Sequence, residues 1–181
     1  MSRLAVVFPG MGYHADKPLL YYAAKLARSA GYEIVQITNP QCTERDREEM
    51  RPYVEECLKV TEDALAGIDL SGQEDILFIS KSIGTVTATA YASFHQVAAR
   101  QILFTPLPET FIHAANGCGI AFGGTKDQHA DHEKIRMLCL EKNIPLTAVA
   151  DANHSLETGD ALRDIETLQD VMRKVSAYIS G

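Results

Sequence analysis

Ser82 is the residue of this chain best placed to act as a nucleophile. It follows an apolar run, Asp75–Ile79, and precedes a segment of helical character, Thr85–Ala92. A serine in the turn between a buried strand and a helix projects its hydroxyl outward from the sheet edge, close to the first backbone N–H groups of the helix. The segment can therefore supply a nucleophile and an anion stabiliser together. Serine is also a common helix N-cap, and the segment alone fits that role equally well.

A histidine that can serve as the base lies near the end of the sequence. His154 follows the last apolar run, Pro145–Val149, by five residues and precedes a segment of helical period. Because parallel strands of an open α/β sheet end at one edge, a loop in this position can bring the imidazole over Ser82. Its Nε2 can then accept the serine proton as a general base. An exposed loop histidine is the alternative interpretation.

The third group is the carboxylate of Asp127, just past the run Cys118–Gly123 and beside the loop that carries His154. A carboxylate there can orient the imidazole and stabilise its cation. A turn or N-cap aspartate is the other interpretation, and Asp131 and Asp151 are alternative candidates for the acid. The three signals are weak one by one. They occur in the order Ser, Asp, His, each at the end of its own strand, and together they favour a catalytic triad.

Short apolar runs alternate with longer segments of helical period along the chain. This pattern predicts an α/β fold, a three-layer α/β/α sandwich with a mainly parallel sheet of about six strands. The predicted strands are Leu4–Phe8, Glu33–Ile37, Asp75–Ser80, Gln101–Thr105, Cys118–Gly123 and Pro145–Val149. The predicted helices include Pro18–Ala30, Thr43–Leu65 with Thr43 as its cap, and Asp160–Ile179. Since no repeat or linker interrupts the pattern, we expect residues 1–181 to form a single domain.

Charge and composition exclude several classes of function. The net charge is −7 and no cluster of lysine and arginine occurs, so we expect no nucleic-acid partner. No run approaches the ~20 apolar residues of a membrane span, and the run Arg3–Phe8 is too short for a signal peptide. We therefore expect a cytoplasmic protein. The four cysteines lack a C-x-x-C pair and are expected to be reduced thiols, with Cys57 and Cys139 in the core.

The chain resembles the α/β-hydrolase superfamily in a small, lidless form, from the strand before Pro9–Gly12 to the helix after His154. Ser82 matches the nucleophile of that family's G-x-S-x-G elbow, and Asp127 and His154 match its acid and base. The stretch around His154 is similar to that of dienelactone-hydrolase-like esterases. The resemblance implies a serine hydrolase of small esters, thioesters or related acyl compounds. Ser80 departs from the pattern, because it replaces the first glycine of a strained turn that favours a small residue.

The resemblance also implies two backbone donors for an oxyanion. One is the N–H after the nucleophile, at Ile83, and the other comes from the loop after the first strand. Glycines in that loop let the backbone approach a reacting carbonyl, and we take the Met11 N–H as the second donor, with Gly10 or Gly12 as alternatives. Gly10, Gly12 and Tyr13 are the expected substrate-binding residues.

We predict neither a cofactor nor a metal. The loop after the first strand lacks P-loop spacing, no dinucleotide-binding fingerprint occurs, and His129 and His132 are too loosely spaced for a metal site. The short segment from Thr105 to Cys118 leaves no space for an inserted helical cap, which predicts an open, shallow pocket for a small acyl substrate. We expect Lys81 to face solvent or a carboxylate, or to contact an acidic substrate group. The alternative to an enzyme is a non-catalytic small-molecule sensor or interaction module; the oligomeric state is left open.

Overall fold

A sheet of six parallel strands forms the centre of the protein in a computed structural model, which describes residues 2–43, 46 and 49–181. The strands are β1 (Ser2–Phe8), β2 (Tyr32–Gln36), β3 (Gln73–Lys81), β4 (Arg100–Phe104), β5 (Gly119–Gly124) and β6 (Leu146–Val149). Their order across the sheet is β2-β1-β3-β4-β5-β6, and each neighbouring pair is parallel. The predicted parallel sheet is confirmed, with every predicted strand boundary within two residues of the observed one.

Helices cover both faces of the sheet. They are α1 (Pro18–Ser29), α2 (Met50–Leu65), α3 (Ile83–Phe94), α4 (Thr110–His113), α5 (His132–Glu141) and α6 (Ala161–Ser180). The apolar sides of α1 and α6 pack on one face, and α2, α3 and α5 pack on the other. The three-layer α/β/α prediction is therefore confirmed. No helix within the described ranges is both long and apolar enough to cross a membrane.

The central strands are buried on both faces, which explains their continuous apolar sequence. The side chains of Ala5, Val6 and Val7 in β1 are inaccessible to solvent, as are those of Leu77, Phe78 and Ile79 in β3. Cys57 and Cys139 are buried free thiols, as predicted. Burial raises the pKa of each of these two thiols to about 12, so both are protonated at neutral pH and inert as nucleophiles.

The predicted start of the second helix is wrong. Thr43 does not cap it, because the helix starts further along the chain. The backbone N–H and the hydroxyl of Thr43 both donate to one carboxylate oxygen of Asp46, each at 2.7 Å. Glu49 has non-helical dihedral angles, with φ −120° and ψ 83°, and α2 begins after it at Met50. The other residues of the predicted first turn, 44, 45, 47 and 48, lie outside the described part of the chain.

The guanidinium of Arg100 links three strands and α6 at the amino edge of the sheet. It forms an ion pair of 2.8 Å with Asp75 of β3 and donates to the hydroxyl of Tyr32 of β2 at 2.7 Å. It also donates to two carbonyls at the end of α6, those of Tyr178 and Ile179, at 2.7 and 3.2 Å. This charge-assisted network fixes the end of the sheet opposite to the loops that carry Ser82, Asp127 and His154.

Candidate active site

Ser82 occupies a sharp turn between β3 and α3, which we call the elbow (residues 80–84). Its backbone has φ 55° and ψ −124°, a region that residues other than glycine rarely adopt. A side chain on Gly84 is excluded, because its Cβ would lie 2.4 Å from the carbonyl oxygen of Phe8 and 2.5 Å from that of Pro9. The turn therefore needs glycine at position 84, where α3 starts against the end of β1.

Ser80 is accommodated in the elbow although a glycine is usual at this position. Its side chain is fully buried, and its hydroxyl donates to the carbonyl oxygen of Ile102 on the neighbouring strand β4 at 3.1 Å. A buried hydroxyl with a partner avoids the cost of an unsatisfied polar group. The strained backbone at Ser82 forms with a serine at position 80, because β4 supplies that partner.

The structure brings the side chains of Ser82, His154 and Asp127 into one hydrogen-bonded line. His154 Nε2 lies 2.7 Å from Ser82 Oγ, and His154 Nδ1 lies 2.7 Å from Asp127 Oδ2. An ionised aspartate only accepts hydrogen bonds, so Nδ1–H donates to it and Nε2 is left with a lone pair. Nε2 then accepts from the Ser82 hydroxyl, which is the arrangement that a general base requires.

The loops after β5 and β6 are held against each other, and this contact sets the position of His154 relative to Asp127. The backbone N–H groups of Thr125 and Lys126 donate to the carbonyls of Val149 and Ala152, both at 2.9 Å. A Cβ on Gly124 would lie only 2.2 Å from the Ala152 oxygen. The two loops approach this closely because position 124 has no side chain.

The alternative acids identified in the sequence have other roles. Asp131 caps α5 by accepting a hydrogen bond of 2.7 Å from the backbone N–H of Lys134. Asp151 forms ion pairs with two basic side chains on the surface. In the described part of the chain, Asp127 is the carboxylate that contacts His154.

The site keeps its histidine neutral and its aspartate ionised. Burial lowers the pKa of His154 below its ordinary value of 6.5, and the nearby charge of Lys81 acts in the same direction, while the hydrogen bond to Asp127 opposes both. For Asp127, burial raises the pKa, but hydrogen bonds from His154 and from the backbone N–H of His129 outweigh it, and the pKa is lowered overall. At neutral pH the pair is thus an imidazole beside a carboxylate.

The loop after β1 forms a tight turn directly on the elbow. The backbone N–H of Gly10 donates to the Tyr13 carbonyl at 2.9 Å, and the Tyr13 N–H donates to the Gly10 carbonyl at 3.2 Å. Gly12 takes the positive φ of 71° that the turn requires. A Cβ on Gly10 would lie 3.2 Å from the Cβ of Ser82, so the turn packs against the serine itself.

This turn reduces the choice of a second oxyanion donor. The Gly10 N–H already donates to the Tyr13 carbonyl, which favours the other candidates over Gly10 as the donor. The N–H groups of Met11 and Ile83 have no hydrogen-bond partner among the residues that the structure describes. The Met11 side chain packs on the cluster that contains Ile83. The Gly12 N–H has no partner among the described residues either, so Met11 and Gly12 both remain candidates, and assigning any of these donors to an oxyanion stays a prediction.

Tyr13 lies in the core beneath the site. It is 7% exposed, its hydroxyl accepts from the backbone N–H of Leu19 at 3.1 Å, and burial raises its pKa to about 12. Its ring faces the Lys81 ammonium, 5.0 Å from Nζ to the ring centroid. The predicted contact of Tyr13 with substrate stays a prediction.

The expectation that Lys81 faces solvent is wrong, because its side chain is 1% exposed. Burial lowers its pKa to about 7, against the attraction of Asp127 and Glu157. Within the described ranges it forms no hydrogen bond or ion pair. Lys81 ends β3 on the same face as Leu77 and Ile79, and this period-two alternation is the sequence signal that could have located it in the core.

His129 is a second neighbour of the site that sequence reasoning did not place there. Its ring packs edge-on against that of His154, with centroids 4.8 Å apart, and its backbone N–H donates to Asp127 Oδ1 at 2.8 Å. An aspartate side chain that accepts from the backbone N–H two residues later forms an Asx turn. No group of three potential metal ligands is found in the part of the chain that the structure describes.

The segment after β4 contributes packing and no cap. Residues 105–118 contain one helix, the four-residue α4. Its Phe111 is buried, and the hydroxyl of Thr110 lies 2.6 Å from that of Thr85 on α3. The short segment leaves the carboxyl edge of the sheet uncovered by an inserted helical domain.

Several solved structures are similar to this chain along nearly its whole length. Est1E from Butyrivibrio proteoclasticus, solved with bound ferulic acid, has a TM-score of 0.70 at 11% identity, covering 98% of this chain and 88% of that one. A lidless α/β serine hydrolase from Xanthomonas campestris has a TM-score of 0.61 at 11% identity over 98% and 81%. An esterase from Pyrococcus furiosus has a TM-score of 0.66 at 11% identity over 98% and 84%. This chain has the α/β-hydrolase fold.

The likeness is one of structure, since the sequences have diverged far. No protein-family model matches the sequence, and no curated protein is detectably similar to it. The α/β-hydrolase fold explains why the loops after β3, β5 and β6 share one edge of the sheet, where such folds carry their sites. Fold alone does not fix activity, so function must be argued from the site.

Gly84→Ala should destabilise the elbow severely. The added methyl would overlap the backbone carbonyls of Phe8, the last residue of β1, and of Pro9, which cannot move without shifting the strand, and we expect a loss of about 3 kcal/mol in the free energy of unfolding. Gly67→Ala is the matched control, because a Cβ there meets no atom within 4 Å. Urea denaturation of both variants checks this; equal stability would contradict the packing described for Gly84.

Lys81→Met should stabilise the protein below neutral pH. In the folded protein the pKa of Lys81 is about 7, below the ordinary value of 10.5. Burial of the charged amine therefore costs stability. This cost is complete below pH 7 and decreases progressively as the pH rises to 10.5. We expect a gain of about 1–4 kcal/mol in the free energy of unfolding at pH 6, shrinking by pH 9. Urea denaturation at both pH values measures it, with the exposed Lys59→Met as control. A gain independent of pH would contradict a buried ammonium.

Proposed function

We propose that this protein is a serine hydrolase acting on a small ester, thioester or related acyl substrate. The observation that carries the proposal is the hydrogen-bonded line from Asp127 through His154 to Ser82, with both distances 2.7 Å. A serine hydroxyl is a weak nucleophile unless a base accepts its proton. Here the serine stands on a strained elbow at the sheet edge, and its base is held by a buried carboxylate.

In the proposed reaction, Ser82 Oγ attacks the acyl carbon while His154 Nε2 takes the hydroxyl proton. The imidazolium that forms is stabilised by the Asp127 carboxylate, which stays ionised. His154 then protonates the leaving alcohol or thiol, and an acyl-enzyme remains on Ser82. A water molecule activated by the same histidine hydrolyses this ester and restores the free serine.

The negative charge that develops on the substrate oxygen needs donors that are already in place. The N–H of Ile83 starts α3, where the positive end of the helix dipole adds to its effect. The N–H of Met11 is held in a turn that packs directly on Ser82. Donors fixed before the reaction stabilise the oxyanion without reorganisation, typically by several kcal/mol.

The short connection between β4 and β5 favours compact acyl substrates. Its one helix is the four-residue α4, so this segment offers little surface to bind a long leaving group. The structures with the same fold include a protein whose name states that it is an esterase and one solved with ferulic acid, which is consistent with acyl chemistry here. Within the proposal, Gly10 and Gly12 contact the substrate through their backbone.

A fluorophosphonate probe should label the wild-type protein at Ser82. Ser82→Ala should abolish labelling, while Ser80→Gly, which restores the usual elbow glycine two residues away, should retain it. Gel fluorescence and peptide mass spectrometry give the site and stoichiometry. Labelling of Ser82→Ala at the wild-type level would refute the nucleophile. An unlabelled, inactive wild-type protein would favour the non-catalytic sensor or interaction module.

The rate of labelling should fall on the acid side as His154 becomes protonated. Burial lowers the pKa of His154 below 6.5. The fall of the labelling rate on the acid side should therefore have its midpoint under pH 6.5. Second-order labelling constants between pH 4.5 and 8.5 measure it. Asp127→Asn, which removes the charge that stabilises the imidazolium, should lower the plateau by about 10²-fold or more. A midpoint above pH 7 would contradict the environment described for His154.

A further inference from the structure

Lys81 is a buried ionisable group beside the site that the proposed reaction does not use. It immediately precedes Ser82 in the chain and ends β3 at the edge where the three triad side chains meet. Its ammonium faces the ring of Tyr13, 5.0 Å from the centroid. Its side chain is 1% exposed, so little solvent lies between its charge and the neighbouring groups.

The titratable groups around Lys81 come from three loops. The two carboxylates are Asp127, in the loop after β5, and Glu157, in the loop after β6. The loop after β6 also carries His154, and the loop after β1 carries Tyr13. Asp127 already accepts from His154 and from the backbone N–H of His129. Neither carboxylate forms an ion pair with Lys81 among the contacts of the described residues. Lys81 is thus a buried amine without an ion pair in the described residues, next in the chain to the serine whose hydroxyl bonds to His154.

We propose that Lys81 is a positioning residue whose positive charge keeps His154 in the neutral, proton-accepting form. This inference rests on the proposed function, in which His154 is the base. The physical reason is that an imidazolium at His154 would place a second positive charge in a poorly hydrated site next to the first. The Asp127 carboxylate favours the imidazolium, and Lys81 offsets part of that effect.

The groups that face His154 determine the balance. Asp127 accepts from Nδ1, the His129 ring packs edge-on against the imidazole, and the buried Lys81 directly precedes Ser82, which bonds to Nε2. Asp127 raises the pKa of His154, while burial, Lys81 and His129 lower it. Interaction between two charges is reciprocal, so protonation of His154 must equally favour loss of the Lys81 proton. The two groups titrate as a coupled pair, in which Lys81 is the one that holds its proton to higher pH.

The test compares wild type with Lys81→Met, which keeps the length of the side chain and removes the charge, and with Lys81→Arg, which keeps the charge. The pKa of His154 is read directly from the NMR titration of its ring C–H signals, assigned by their absence in His154→Gln. It should rise in Lys81→Met and stay near wild type in Lys81→Arg. In fluorophosphonate labelling, we compare the rate at pH 5.5 divided by the plateau rate at higher pH. This ratio should be about two- to five-fold lower in Lys81→Met than in wild type, and unchanged in Lys81→Arg.

An unchanged or lower pKa of His154 in a folded Lys81→Met variant would overturn the proposal. The NMR measurement does not depend on turnover, so a wild-type protein that is never labelled refutes the hydrolase while the titration still decides the role of Lys81. If neither Lys81 variant folds, wild type and the exposed Glu157→Gln are compared by NMR with [13Cε]lysine. Loss of that carboxylate should lower the pKa of the Lys81 ammonium and, through the coupling, alter the His154 titration; an unaltered Lys81 signal would overturn the proposal.

Discussion

The close approach of Gly84 to the carbonyls of Phe8 and Pro9 is the constraint on which the candidate site depends. It brings the start of α3 against the end of β1, and the chain can meet this geometry only through the positive φ of Ser82. The same approach brings the turn after β1 onto the serine, because a Cβ added to Gly10 would lie 3.2 Å from the Ser82 Cβ. The position of Ser82 and that of the N–H groups beside it therefore follow from one packing contact.

A second contact of the same kind places the base. Gly124 allows the loops after β5 and β6 to touch, and backbone hydrogen bonds between them hold Asp127 at a fixed distance from His154. The histidine reaches Ser82 only because β6 and β3 end at the same edge of a parallel sheet. Gly84 and Gly124 thus set the geometry of Ser82, Asp127 and His154, although the serine and the histidine are 72 positions apart in the sequence.

Local sequence patterns predicted the strands well, because strands buried on both faces are continuous apolar runs whose ends are marked by polar or turn residues. The order of Ser82, Asp127 and His154 could be identified because each follows such a run. What failed depended on contacts distant in sequence or on a local break in the backbone. Nothing near Ser80 indicates that Ile102 of β4 accepts its hydroxyl. Because of its charge, Lys81 was expected to face solvent, a carboxylate or an acidic substrate group, although its place in the pleat points to the core. The start of α2 was missed because nothing in the sequence marks the non-helical backbone of Glu49.

Several unfavourable features lie at the carboxyl edge of the sheet. Ser82 has a strained backbone. Among the described residues, Lys81 is a buried amine without an ion pair, and Thr105 combines a φ of 43° with a buried hydroxyl that has no partner. Strain of this kind persists only where the surrounding structure overdetermines it. The Arg100 network provides that support at the opposite edge, joining β2, β3, β4 and α6 through charge-assisted bonds. Rigidity at one end of the sheet lets the other hold Ser82, His154 and the buried Lys81 in positions that the isolated loops would not adopt.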